Sequence, residues 1–295
     1  TDKYFLRIRA GFRRTGLRGL IVSDSTQIAQ AFYFPTGHIR FRYFFSKSKK
    51  ITFSYNTRFI EPRIEQLQPL VNNQNPLSLT IGNPNLLPEY VHSLNLRTDI
   101  YEPSTFTNFY AAVYMNFSQN KIIQSQTLDE NFRTTFQPIN TDLSYRGGSY
   151  FGLNTQIAKL LKLDIRGGVV VYQSAIMNNE VLANQFNHDY NAKLTISNRK
   201  KKVVDASLSA KVVVGNSIYE SNDALNVTYI NHFYTAKCRV TIAKKLNIRS
   251  QFDYMVYANA GFGDTDVIAI PIWSAAINYT FLKSNALKLE LSAEN

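Results

Sequence analysis

The chain has 295 residues, a formal net charge of +12, and 18 Tyr and 20 Phe, yet its mean hydropathy is −0.22. No run of about 18 or more apolar residues occurs, which excludes transmembrane helices. Abundant aromatic residues beside slightly negative hydropathy suit strands that are apolar on one face only, as in a membrane barrel with a polar lumen.

The opening residues, Thr1-Asp2-Lys3-Tyr4-Phe5, carry neither Met nor a signal peptide and read as mid-strand. The last residues, Glu294-Asn295, directly follow a strand-like run, so both ends are expected to be truncations of a larger barrel. Between them, alternation with a period of two dominates. Ile51, Phe53, Tyr55 and Phe59 oppose Thr52, Ser54, Asn56 and Arg58. A strand ends near Phe59, and a long ordered loop, Pro62 to Pro88, follows. From Phe186 to Ser197, the apolar set Phe186, Tyr190, Ala192, Leu194 and Ile196 faces away from Asn187, Asp189, Asn191, Lys193 and Thr195. The same pattern returns in Val204–Val214, Leu246–Val256 and Trp273–Phe281.

A soluble sandwich also alternates. The runs here are longer, about 10 to 13 residues, as a tilted strand crossing a bilayer requires. Aromatic residues recur near the ends of the apolar face, as in interfacial girdles. Short turns recur at Ser46–Lys50, Tyr101–Thr105, Lys159–Lys162, Asn198–Lys202, Ala243–Lys245 and Leu282–Asn285, with longer connections between them. Residues 1–295 are therefore expected to form one all-β domain, a transmembrane antiparallel up-and-down β-barrel with about 12 to 14 strands in this chain. A turn centred near Lys200 sets Asp189 opposite Lys211.

The loop carries the most distinctive words: Glu61-Pro62-x-x-Glu65-Gln66-Leu67, Asn72-Asn73-x-Asn75-Pro76-Leu77 and Gly82-Asn83-Pro84-Asn85-Leu86-Leu87-Pro88-Glu89. The last phrase, entering a strand, resembles TonB-dependent outer-membrane receptors. The first two resemble the Bacteroidetes-type outer membrane β-barrel branch of that superfamily, as does Tyr110–Asn120 followed by Lys121-Ile122-Ile123. The resemblance covers roughly residues 40–140. It implies a barrel of about 22 strands with an N-terminal plug, energised by an inner-membrane TonB complex. No plug, TonB box or signal peptide is visible in this sequence. The family-like loop residues are Gly82, Asn83, Pro84, Asn85, Pro88 and Glu89.

Catalytic chemistry is not legible. His38, His92, His188 and His232 stand singly, so no metal or other cofactor is expected. His188 reads as an interfacial residue near a strand end. Arg146-Gly147-Gly148 and Arg166-Gly167-Gly168 precede no helix and read as bends or close packing in strands. Gly261-Phe262-Gly263-Asp264 reads as an outer turn, and no nucleophile elbow occurs. The single cysteine, Cys238, reads as a small packing residue on an apolar face.

The charges Asp164, Arg166, Asp189, Lys193, Asp205, Lys211, Lys237, Arg239, Arg249, Asp253, Lys288 and Glu290 fall on polar faces. They are expected to line the lumen, with Asp164, Arg166, Asp189, Lys193, Asp205, Lys211, Arg249 and Asp253 as candidates for a ligand path or plug contact. The basic residues are spread out, so nucleic acid is not an expected partner, and the lysine-rich turns read as hairpins near lipid phosphates.

Three readings remain. One is a TonB-dependent-type transporter in the bacterial outer membrane, its outer loops capturing ligand and its lumen conducting it past a plug. Another is a barrel without transport, a scaffold or subunit of a surface assembly that binds a lipoprotein or other protein. The weakest is an outer-membrane enzyme, so the chain is expected not to be one.

Overall fold

The computed structural model describes residues 3–21, 26–200, 202–243, 245–260, 267–281 and 287–295. The alternating runs become strands: β1 (Tyr4–Ile21), β2 (Thr26–Ser46), β3 (Lys49–Ile60), β4 (Val71–Asn75), β5 (Ser78–Ile81), β6 (Glu89–Glu102), β7 (Thr107–Leu128) and β8 (Thr134–Gln156). They continue as β9 (Leu161–Asn178), β10 (Val181–Asn198), β11 (Val204–Tyr219), β12 (Val227–Ile242), β13 (Leu246–Ala260), β14 (Val267–Phe281) and β15 (Leu287–Glu294). One short helix, α1 (Ile64–Leu67), lies between β3 and β4.

Among the described residues there are 15 strands, and 13 of them form one antiparallel wall in the order β1-β2-β3-β6-β7-β8-β9-β10-β11-β12-β13-β14-β15. The remaining pair, β4 and β5, belongs to the long loop. Among the described residues β1 pairs only with β2 and β15 only with β14, so the wall is an open up-and-down sheet rather than a closed ring. Several strands are longer than expected, reaching 22 and 23 residues in β7 and β8. Chain that read as outer loop continues instead as paired strand. The β9–β10 connection shrinks to Asn179-Glu180, both at positive φ. As a result His188 sits well inside β10 rather than near its end.

Residues paired across strands share a face. The rows therefore test the alternation across the sheet. Arg40, Ser54, Asn95, Tyr114 and Gly148 lie in one row from β2 to β8. Ile39, Tyr55, Leu94 and Met115 lie in a row on the opposite face. The apolar face is uncovered: Leu208 is 64 % exposed, Trp273 49 % and Leu289 64 %. In water such a surface would aggregate, whereas in a bilayer it is the lipid-facing side and the polar face is the inner one.

The turn after β10 corrects one register. Asn198 donates to the carbonyls of Lys200 and Val204 and accepts from the Ala206 amide, so β11 starts only at Val204. Ser197 then pairs with Ser207, Asp189 faces Gly215, and Lys211 faces Lys193. Asp189 and Lys211 share a face but lie four residues out of register and do not pair. The expected turns at 282–285 and 261–264 lie outside the described residues, as do Lys201 and Lys244 within two others.

Candidate functional site at the outer mouth

Short turns mark the periplasmic end of an outer-membrane barrel. The β2–β3, β6–β7, β8–β9, β10–β11 and β12–β13 turns share one end, taken by that rule as periplasmic, so the 61–88 connection between β3 and β6 lies at the outer end, where the two-residue β9–β10 turn is the exception. It folds back over the inner face. Glu61 accepts from Arg13 Nη2 at 3.4 Å and from Thr15 Oγ1 at 3.2 Å, reaching β1 across the top of β2. A Cβ on Gly19 would meet Ile64 of α1 at 3.6 Å. Leu67 and Leu86 are fully buried against each other, with Leu17 of β1 and Ile122 of β7 packed around them. Arg9, Gly11, Arg13, Leu17 and Gly19 alternate onto the polar side of β1, so this small apolar core sits on the inside of the wall.

The Gly82–Glu89 phrase forms its clamp. Gly82 N–H donates to Gln68 O at 3.0 Å and Asn83 N–H to Gln66 O at 2.6 Å. A Cβ on Gly82 would stand 2.2 Å from Gln68 O, so the two segments approach too closely for any side chain there. The Asn83 carboxamide accepts from Asn85 N–H and donates to Pro138 O of β8. Gln30 of β2 donates to Pro84 O. Pro88 is fully buried. Glu89, the first residue of β6, is buried and receives three bonds, two from Lys121 Nζ at 3.0 Å and one from Ile122 N–H at 3.1 Å. Each buried carboxylate oxygen thus has a charged or amide donor, which burial of the charge requires. Asn140 of β8 completes the clamp: it accepts from Leu87 N–H and donates to the carbonyls of Leu87 and Asn120.

The same region reorders the β7–β8 hairpin. The ladder skips Asn120, which adopts φ 53°. Within the wall β8 pairs with β9, but beyond Asn120 it is β7 that meets β9, at Ser125–Met177, while β8 meets β5, at Ser78–Thr134. The hairpin has turned over and exchanged its edges, extending a β4-β5-β8-β7 patch across the mouth. At its tip Asp129 accepts from the Asn131 and Arg133 amides and from Arg133 Nε. The Arg133 amide foremost holds its carboxyl below the usual value. On the rim of this patch β4 presents Asn72, Asn73, Gln74 and Asn75, all exposed.

The eight candidate charges lie elsewhere, on the polar face of β9–β13. Asp164 and Arg166 form an ion pair at 2.8 Å. Arg166, Lys193 and Lys211 are consecutive across β9, β10 and β11, and Lys211 rests over the Phe233 ring at 5.3 Å. Tyr229 lies across Gly215, where a Cβ would stand 2.1 Å from its ring, and donates to Asp189 at 3.2 Å. Asp205, Arg239 and Arg249 are consecutive across β11, β12 and β13, and Arg249 bonds Glu290 at 2.7 Å, which in turn bonds Lys288. Asp253 accepts from Thr235 at 2.7 Å. Lys237 faces Gln251. The structure therefore groups the charges in a strip on the polar face of the wall and separates them from the family-like loop residues.

Alternation made the strip legible. The clamp partners Lys121 and Asn140 were not, because strand contacts from about 30 to 55 positions away leave no local signal. Among the described residues no group of three or more His, Cys, Asp or Glu gathers as a metal site. Cys238 lies on the apolar face between Ala206 and Ser250.

No curated protein and no solved structure matches the chain. A family model described as the outer membrane protein beta-barrel family matches residues 23–295, nearly the whole chain. The inside-out wall and this match agree: the chain belongs to the outer membrane protein beta-barrel family, and its place is the bacterial outer membrane.

Proposed function

We propose that this wall belongs to a TonB-dependent-type transporter rather than to a passive scaffold or an enzyme. The observation that carries the reading is the 61–88 loop folded onto the inner face and fixed by Glu89, Asn140 and the Leu67–Leu86 core. A scaffold needs loops that project outward, whereas a loop docked inside restricts passage and shapes what enters. The exposed amides of β4 are suited to ligands rich in hydroxyl or amide groups, since each carboxamide both donates and accepts. In this reading the wall is completed by further strands towards about 22, a plug fills the lumen, and TonB supplies the energy. Membrane lipid covers the outer face, and the protein carries no catalytic residue or cofactor of its own.

The test is binding of the full-length protein, in detergent, to the periplasmic domain of TonB. Saturable binding is expected. Full-length protein that ignores TonB and purifies in fixed ratio with a surface lipoprotein would instead favour the scaffold reading.

A further inference from the structure

The inner face of β1 and β2, towards the short-turn end, carries an unbalanced group of arginines. Arg7 stands directly opposite Arg40, and Arg9 opposite His38. Arg42 lies two residues from Arg40 on the same face, between Phe5 of β1 and Thr52 of β3. Directly opposed residues have Cβ atoms about 5 Å apart, where like charges destabilise a sheet.

Arg40 and Arg42 have neighbouring strands on both sides, and no carboxylate occurs among their cross-strand partners Phe5, Arg7, Thr52 and Ser54. Asp99, an acid on that face, is held by Arg97 at 2.6 Å and faces Lys50 at 4.0 Å. Glu61 is engaged with Arg13 near the mouth. The Nε atoms of Arg40 and Arg42 are buried and without a hydrogen-bond partner. Among the described residues Arg42 rests over the faces of Phe5 and Phe44. The strip on β9–β15 differs in carrying acids: Arg166 has Asp164, and Arg249, whose Nε is likewise buried and unbonded, has Glu290.

Among the described residues none of the four guanidinium groups has a counter-charge; Arg7 and Arg9 are exposed, but Arg40 and Arg42 are half-buried, and their desolvation is costly unless an anion neutralises them. Guanidinium is also the side chain whose planar fork matches an oxyanion in two bonds at once. A shallow depression lined by Arg9, Gly11, Thr36, His38 and Asn56 adjoins the group and leaves room on the wall. We propose that Arg7, Arg9, Arg40 and Arg42 form a binding site for an oxyanion, the phosphate or carboxylate group of a solute inside the lumen. The site goes beyond the transporter reading and does not require TonB: binding is read at equilibrium, so its failure and that of energised uptake are separately visible.

The test is calorimetric titration of the full-length protein in detergent with inorganic phosphate at constant ionic strength, chloride being the balancing anion. Saturable phosphate binding is expected, weakened by about tenfold or more in Arg40→Gln/Arg42→Gln. It should be unchanged in the control Lys237→Gln/Lys288→Gln, which removes as much charge from the polar face of β12 and β15. Correct folding is checked by heat-modifiable gel mobility. If the double variant fails to fold, Arg40→Lys serves in its place; it keeps the charge, loses the fork, and is expected to weaken binding by about threefold or more. Absence of saturable binding, equal loss in the control, or unaltered binding in the β2 variants would overturn the proposal.

Discussion

The outer mouth and the wall of β9–β14 are built on opposite rules. At the mouth Leu67, Leu86 and Val91 are buried, and a carboxylate and several amides are satisfied by named partners, as in a small water-soluble core. Along the wall the apolar side chains Leu194, Leu208, Tyr234, Phe252 and Trp273 all face outward and stay exposed. There the backbone ladder holds the strands, and lipid supplies the apolar environment. The difference teaches that the loop is fixed by its own packing and hydrogen bonds, separable from the forces that keep the wall in the membrane.

Variants can break or sharpen that contrast. The largest effect is expected at the wall. Leu208→Arg puts a charge on the lipid face and should destabilise the folded protein by about 2 kcal/mol or more, while Ser209→Arg, one residue away on the inner face, is tolerated. Urea unfolding in lipid vesicles checks the pair, and equal effects would break the assignment of faces. Next comes Gly82→Ala, whose methyl group meets Gln68 O and should undock the loop by about 1 to 3 kcal/mol while the wall stays folded. Limited proteolysis should then cut within 61–88 and leave β9–β14 whole. Asn140→Ala removes three bonds to Leu87 and Asn120 and should weaken docking by about 1 to 2 kcal/mol in the same assay.

The smallest effect is a pH dependence at the exposed hairpin tip. The Asp129 carboxyl is held below its usual value, so its contribution is complete above about pH 4 and fades as pH falls through its lower folded value. Hydrogen exchange at the Asn131 and Arg133 amides should speed up as pH drops towards about 2, beyond the intrinsic pH trend, and Asp129→Asn should remove that excess.

What was legible in the sequence follows from what is local. Period-two alternation in Phe186–Ser197 and Val204–Val214 reports a strand and its two faces, because each residue's face depends only on its parity. The register between those strands depends on the turn, and there the Asn198 side chain moved the start of β11, so Asp189 met Gly215 rather than Lys211. The loop phrase marked a special place through Gly82, Pro88 and Glu89. Its buried role came from Lys121 and Asn140, brought by a hairpin that turns over at Asn120, and no nearby residue announces that turn. The β4–β5 pair is illegible for a similar reason: Asn72, Asn73 and Asn75 read as loop residues, and pairing of β4 with β5, itself held on β8, overrides that preference.

The central claim is that one face of the wall meets lipid and the other meets water in the lumen. It is tested most directly by single cysteines placed in turn at positions 206 to 213 of the full-length protein in a Cys238→Ser background. The proteins are reconstituted in vesicles and exposed to a membrane-impermeant, water-soluble maleimide. Labelling is expected at the sites of Ser207, Ser209, Lys211 and Val213 and not at those of Ala206, Leu208, Ala210 and Val212. Uniform labelling, or the opposite alternation, would contradict the account.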